Sequence, residues 1–129
     1  MSSPVEQTPT QQATQAMSEP FTDEFNLLTR AQTVTCVYGW QQNEAGNKRD
    51  GYCAVGALTR ADRELWGPNL HTEDGLFHNN EEAYDRCRST LDVLAQAEGF
   101  RSIVGWNDKP GRTKHEVLTL FAKAALKHA

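Results

Sequence analysis

The chain has 129 residues, 38% hydrophobic and 23% charged, with a formal net charge of −4: the size and apolar content of one small folded unit. No stretch approaches the ~20 apolar residues of a membrane span, no basic and apolar leader opens the chain, and an acidic chain without a module signature argues against nucleic acid. Three cysteines without a C-x-x-C pair exclude a disulfide framework and speak against structural zinc, so the expected location is the cytoplasm.

The opening "MSSPVEQTPTQQATQAMSEP" is rich in Ser, Thr, Gln and Pro and lacks aromatic residues. It has too little apolar surface to offset its ordering entropy, and residues 1–20 are expected to form a disordered tail. Residues 21–129 are then the folded part. In "FTDEFNLLTRAQTVTCVYGW" the apolar residues Phe21, Phe25, Leu28, Ala31, Val34 and Tyr38 recur at spacings of three and four, one face of a first helix. Asp23 and Glu24 suit the positive end of its dipole, and Gly39 is a stop. The β-branched "TVTCVY" leaves an extended end open. The polar "QQNEAGNKRDG" reads as a loop; the alternative is a short hairpin near residues 36–55.

"YCAVGALTRADRELWG" is the second helix, lined by Ala54, Ala57, Leu58, Ala61 and Leu65 and ended by Gly67 and Pro68. After a long connection, "NNEEAYDRCRSTLDVLAQAEGF" is the third. Asn79 with Glu82 fits a capping box, and Tyr84, Cys87, Leu91, Leu94 and Ala95 make the apolar stripe. "RSIVGWNDKPGR" reads as a connector with Ile103, Val104 and Trp106 as buried anchors. The last helix begins at a second capping box, Thr113 with Glu116, and turns Val117, Leu120, Phe121 and Ala124 inward. Four helices without repeats, a heptad seam or alternating strands predict an all-α domain with irregular connectors.

Two stretches carry possible chemistry. Cys53 opens the second helix, where the dipole favours a reactive thiolate. With His71, His78 or His115 as base, and Asp108 or Asn107 to orient it, Cys53 would complete a nucleophilic set. The competing reading is packing: Cys53, Gly56 and Ala57 are small and let neighbouring segments approach closely. Cys53, His71, His78 and Cys87 are suitable metal-ligand types, but their spacing is loose and Cys87 lies on an apolar stripe, so no metal and no cofactor are expected.

"WNDKPGRTKHE" is the denser stretch. Gly111 permits a tight turn, and Arg112, Thr113 and Lys114 gather at a helix start whose backbone N–H groups suit an anion. Arg112 has the fork to grip a phosphate or carboxylate, with Asn107 and Asp108 as opposing polar groups. The alternative is a well-capped helix after a turn, with Asn107 and Asp108 bonding to backbone. Trp40, Trp66 and Trp106 are expected to cover core edges. Charge is uneven: residues 1–100 hold seven basic and fifteen acidic side chains, residues 101–129 six and two. Either the two parts pair within the fold, or the C-terminal part meets an anionic partner.

"CAVGAL" and "GWNDKPGRTKHEV", with the preceding "YGW", resemble an uncharacterised family of small proteins from actinobacteria and their phages. The family pattern is an N-terminal helix, Gly-Trp, C-A-x-G-A-L, then W-N-D-x-P-G-R-T before a closing helix. The match spans about residues 21–128 and takes in Cys53, Ala54, Gly56, Trp106, Asn107, Asp108, Gly111, Arg112 and Thr113. The resemblance carries no catalytic role. It implies a phage or mobile-element setting, with the host cytoplasm as location, and that the two separated motifs meet in space.

The expected function is a non-enzymatic helical binding domain for a host protein or a small anionic ligand, with Asn107, Asp108, Gly111, Arg112, Thr113 and Lys114 as ligand-binding residues. The alternatives are a cysteine-dependent enzyme built on Cys53 and a structural component of a larger particle.

Overall fold

The computed structural model describes residues 21–67 and 78–129. The expected tail, residues 1–20, and the connection that holds His71 lie outside them. Five helices and one minimal hairpin follow in order: α1 (Asp23–Tyr38), β1 (Gly46–Asn47), β2 (Gly51–Tyr52), α2 (Ala54–Trp66), α3 (Glu81–Ala97), α4 (Ile103–Asn107) and α5 (Lys114–Leu126).

The mostly helical class expected from periodicity is observed, with two refinements. The connector "RSIVGWNDKPGR" holds a fifth helix, the short α4. The polar loop after α1 contains the hairpin, Gly46 opposite Tyr52 and Asn47 opposite Gly51, and Trp40 bridges Tyr52 in parallel. "TVTCVY" stays helical because Val34 and Thr35 face the core there, which outweighs β-branched preference.

α1 packs against α2, α3 and α5, so its buried side is wide: Leu27, Leu28, Ala31, Val34 and Thr35. Phe21 and Phe25, expected on that face, instead stack on each other at its margin with ring centroids 4.2 Å apart. Glu24, in the first turn as expected, is buried and accepts from Arg86 Nη1 at 3.1 Å. One apolar cluster takes in Leu27, Leu58, Cys87, Leu91, Ile103, Trp106 and Phe121.

Helix starts are tied across the fold. A helix leaves its first N–H groups unpaired, and here side chains of other helices accept several of them. Asn107 at the end of α4 accepts from Ala54 N, the first residue of α2, at 3.0 Å. Asp62 of α2, 2% exposed, accepts from Asn79 N at 2.8 Å and Asn80 N at 2.9 Å just before α3. Asp92 of α3 accepts from Ile103 N, the first residue of α4, at 2.8 Å, where Ser102 makes no side-chain cap. Two of these links position the next helix in the chain, and the Asn107 link ties α4 back to the start of α2. The cap of α3 is Asn80, bonded by Ala83 N, rather than the expected Asn79, because Asn79 is held by Asp62.

Candidate functional site

Cys53 is the N-cap of α2, as its position implied, and its Sγ accepts from Gly56 N at 3.3 Å. Burial pushes the thiol above its ordinary value, and Asp108 adds to this; together they outweigh the bonds from Gly56 and Val55 that favour thiolate. The expected activation by the helix start is therefore overridden. Among the described residues no histidine bonds to Cys53. His78 lies stacked on Tyr84, centroids 3.5 Å apart, with Nε2 3.2 Å from Thr59 Oγ1 and Nδ1 3.4 Å from Glu81. His128 bonds Thr90, and His115 lies on α5. Cys87 is fully buried and its thiol is pushed up to about 12 by burial, with Glu24 adding to the shift. Among the described residues no group of three or more His, Cys, Asp or Glu side chains is placed to hold a metal ion.

Among the small residues after Cys53, Gly56 admits a loop, while Ala54 and Ala57 join the helical core. A Cβ on Gly56 would lie 1.9 Å from Ala45 O, so only glycine lets the loop lie on α2. A Cβ on Gly51 would stand 2.7 Å from Gly39 C, at a φ of +93°.

The same loop is fastened from the other side by α4. Asn107 is 2% exposed and commits both ends of its amide. Oδ1 accepts from Trp40 Nε1 at 2.7 Å as well as from Ala54 N; Nδ2 donates to Gln41 O at 3.2 Å and to Asp108 Oδ1 at 2.9 Å. Asp108 Oδ1 accepts from Asn43 N at 2.8 Å, and Gln42 donates to Asn107 O and Lys109 O. The two motifs do meet in space, through hydrogen bonds that close the fold. Asn107 and Asp108, expected to face a ligand, are structural here.

The start of α5 is closed as well. Thr113 and Glu116 form the expected capping box, Lys114 reaches Cys36 O at 3.4 Å, and Gly111 makes its turn at a φ of +88°. The Thr113 backbone N–H holds the Glu116 carboxyl below its ordinary value, with the Thr113 hydroxyl and Arg112 adding to this against some desolvation.

Arg112 differs from its neighbours. Its side chain is only 3% exposed. Nε donates to Trp106 O at 2.8 Å, Nη1 meets Glu116 Oε2 at 3.1 Å, and the guanidinium lies 3.7 Å from the Trp106 ring centroid. Among the described residues Nη2 has no partner, and neither does the indole N–H of Trp106. A surface groove of about 290 Å³ passes these two residues. Leu120 contributes its apolar lining, Glu98 and Glu116 are its acids, and His115, Thr119 and Lys123 continue it along α5. Among the described residues neither His115 nor Lys123 joins an ion pair, and no ion pair connects residues 101–129 to the rest of the chain.

Of the expected ligand residues, the groove contains Arg112 alone, joined by His115 from the catalytic candidates. Sequence reasoning missed Glu98, Thr119, Leu120 and Lys123 as a set. One signal was present: His115, Thr119 and Lys123 recur every four residues, one polar stripe of a helix.

No curated protein and no solved structure matches the chain. A family model described as "Family of unknown function (DUF6197)" matches residues 23–127.

Proposed function

The chain belongs to the DUF6197 family, and we propose that it is a non-enzymatic binding domain whose groove along α5 takes a small anionic ligand. One observation carries this reading: two buried donors, Arg112 Nη2 and Trp106 Nε1, lack partners beside the same groove. Buried donors are almost always paired, so two together beside one groove suit an external acceptor. Lys123, which joins no ion pair among the described residues, supports the same sign of ligand. The motif resemblance supplies the setting, an actinobacterial host cytoplasm with the protein encoded by the host or its phage.

The test is a titration with acetate, benzoate and inorganic phosphate, followed through the assigned indole N–H resonances. The reading expects a saturable downfield shift at Trp106, with the Trp40 resonance, already bonded to Asn107, unmoved. The absence of a saturable Trp106 shift with all three anions overturns it.

The cysteine-enzyme reading has a separate test. Cys36 is exposed and Cys53 is half-buried with a raised pKa. At neutral pH a thiol reagent is expected to modify Cys36 well before Cys53. Faster reaction at Cys53 would restore the enzyme reading.

A further inference from the structure

The donors left over beside the groove are few. Arg112 has committed Nε to Trp106 O and Nη1 to Glu116, and the Glu116 carboxylate already offsets its charge. What remains is one guanidinium nitrogen and one indole N–H. Two donor groups suit the two oxygens of a carboxylate. A phosphate presents three or more oxygens and up to two charges, and sites for it gather more donors and more cations.

Fixed charge points the same way. Glu98 and Glu116 line the groove together with Lys123, His115 and Arg112. Arg112 and Lys123 stand against two carboxylates, so the fixed charge of the groove does not favour a ligand with more than one negative charge. Leu120 and the Trp106 ring show the groove a narrow apolar margin, 5% and 2% of their surfaces, which a compact apolar body covers and an inorganic anion does not. Its volume of about 290 Å³ falls at the lower edge of the roughly 300–1,000 Å³ typical of ligand sites, which favours a ligand smaller than a nucleotide.

Resting on the anion-binding reading above, we propose that the ligand is a small monocarboxylate with an apolar or aromatic body. Its carboxylate accepts from Arg112 Nη2 and Trp106 Nε1, its body covers Leu120, and Lys123 supplies the unpaired cation.

The experiment compares benzoate, acetate and inorganic phosphate at pH 7.5 in moderate salt, reading Kd from the Trp106 indole shift. Benzoate is expected to bind about tenfold tighter than acetate, a difference of about 1.4 kcal/mol for covering the apolar surface, and tighter than phosphate by at least as much. Glu98→Gln, an exposed change, is expected to strengthen phosphate binding several-fold and to alter benzoate binding less. Phosphate binding as tightly as benzoate overturns the carboxylate assignment but leaves the groove as an anion site. Acetate binding as tightly as benzoate overturns the apolar body. No saturable Trp106 shift with any of the three overturns the groove reading together with this inference.

Discussion

Asn107 and Arg112 lie in one short motif and treat their polar atoms in opposite ways. Asn107 joins Trp40, Gln41, Ala54 and Asp108, with both ends of its amide engaged. Arg112, also buried, leaves Nη2 without a partner among the described residues, beside a groove. The contrast separates two roles within "WNDKPGRT". Its first half is a clasp that holds the loop between α1 and α2 onto α4. Arg112, in its second half, and Trp106, at its start, border the groove along α5. A buried polar residue with every bond made is evidence of architecture; one with a bond left over beside open space points outward.

The comparison is broken most directly at Asn107. Asn107→Ala is expected to cost about 3 kcal/mol, because the Trp40 indole, Ala54 N and Gln41 O lose their partner together. Thermal unfolding should shift by roughly 15 °C for a domain of this size. A loss of under about 1 kcal/mol would show that water replaces the amide and that the clasp is weak.

Gly56→Ala attacks the same clasp from α2. The added Cβ meets Ala45 O, backbone that cannot yield without moving the loop. The expected cost is about 2 kcal/mol, measured by urea unfolding, with a smaller change in the groove's ligand response than Asn107→Ala produces.

Acid distinguishes the two halves further. The Glu116 carboxyl has a folded pKa below its ordinary 4.5. Its contribution is therefore fully present above 4.5 and is lost as pH falls through the folded value. The Asn107 amide does not titrate. Stability measured from pH 6 to pH 2 should fall at the acid end, and Glu116→Gln should flatten part of that fall. An unchanged profile in the variant would remove Glu116 from the account.

The smallest effect on stability is expected at the groove, where it is most informative. Lys123→Glu is an exposed change without an ion pair to lose among the described residues, and should alter stability by less than about 0.5 kcal/mol. It should also abolish the benzoate-dependent shift at Trp106. Retained binding would separate Lys123 from the site.

Much of the architecture was legible because it follows from local rules. The periodicity of "FTDEFNLLTRAQTVTCVY" and the Thr113–Glu116 capping box act within one or two turns, so they can be read residue by residue, and α1 and the start of α5 fall where those signals put them. The short α4 was missed because five residues are too few to show a period and its first N–H is held by Asp92 of another helix. The shift of the α3 cap from Asn79 to Asn80 has the same origin in Asp62. The candidate site was legible only in part. Arg112 was identified, but its burial under Trp106 and its bond to the Trp106 carbonyl depend on how α4 meets α5.

The amino-acid sequence by itself determined the four longer helical segments, the turn glycines and the Thr113–Glu116 capping box. Only the tertiary structure decided which polar side chains are consumed and which remain available. Asn107, Asp62 and Asp92 meet N–H groups at least eleven residues distant, and such pairings depend on how whole helices pack. Local spacing holds no record of that packing, because the free energy that sets it belongs to the shared core.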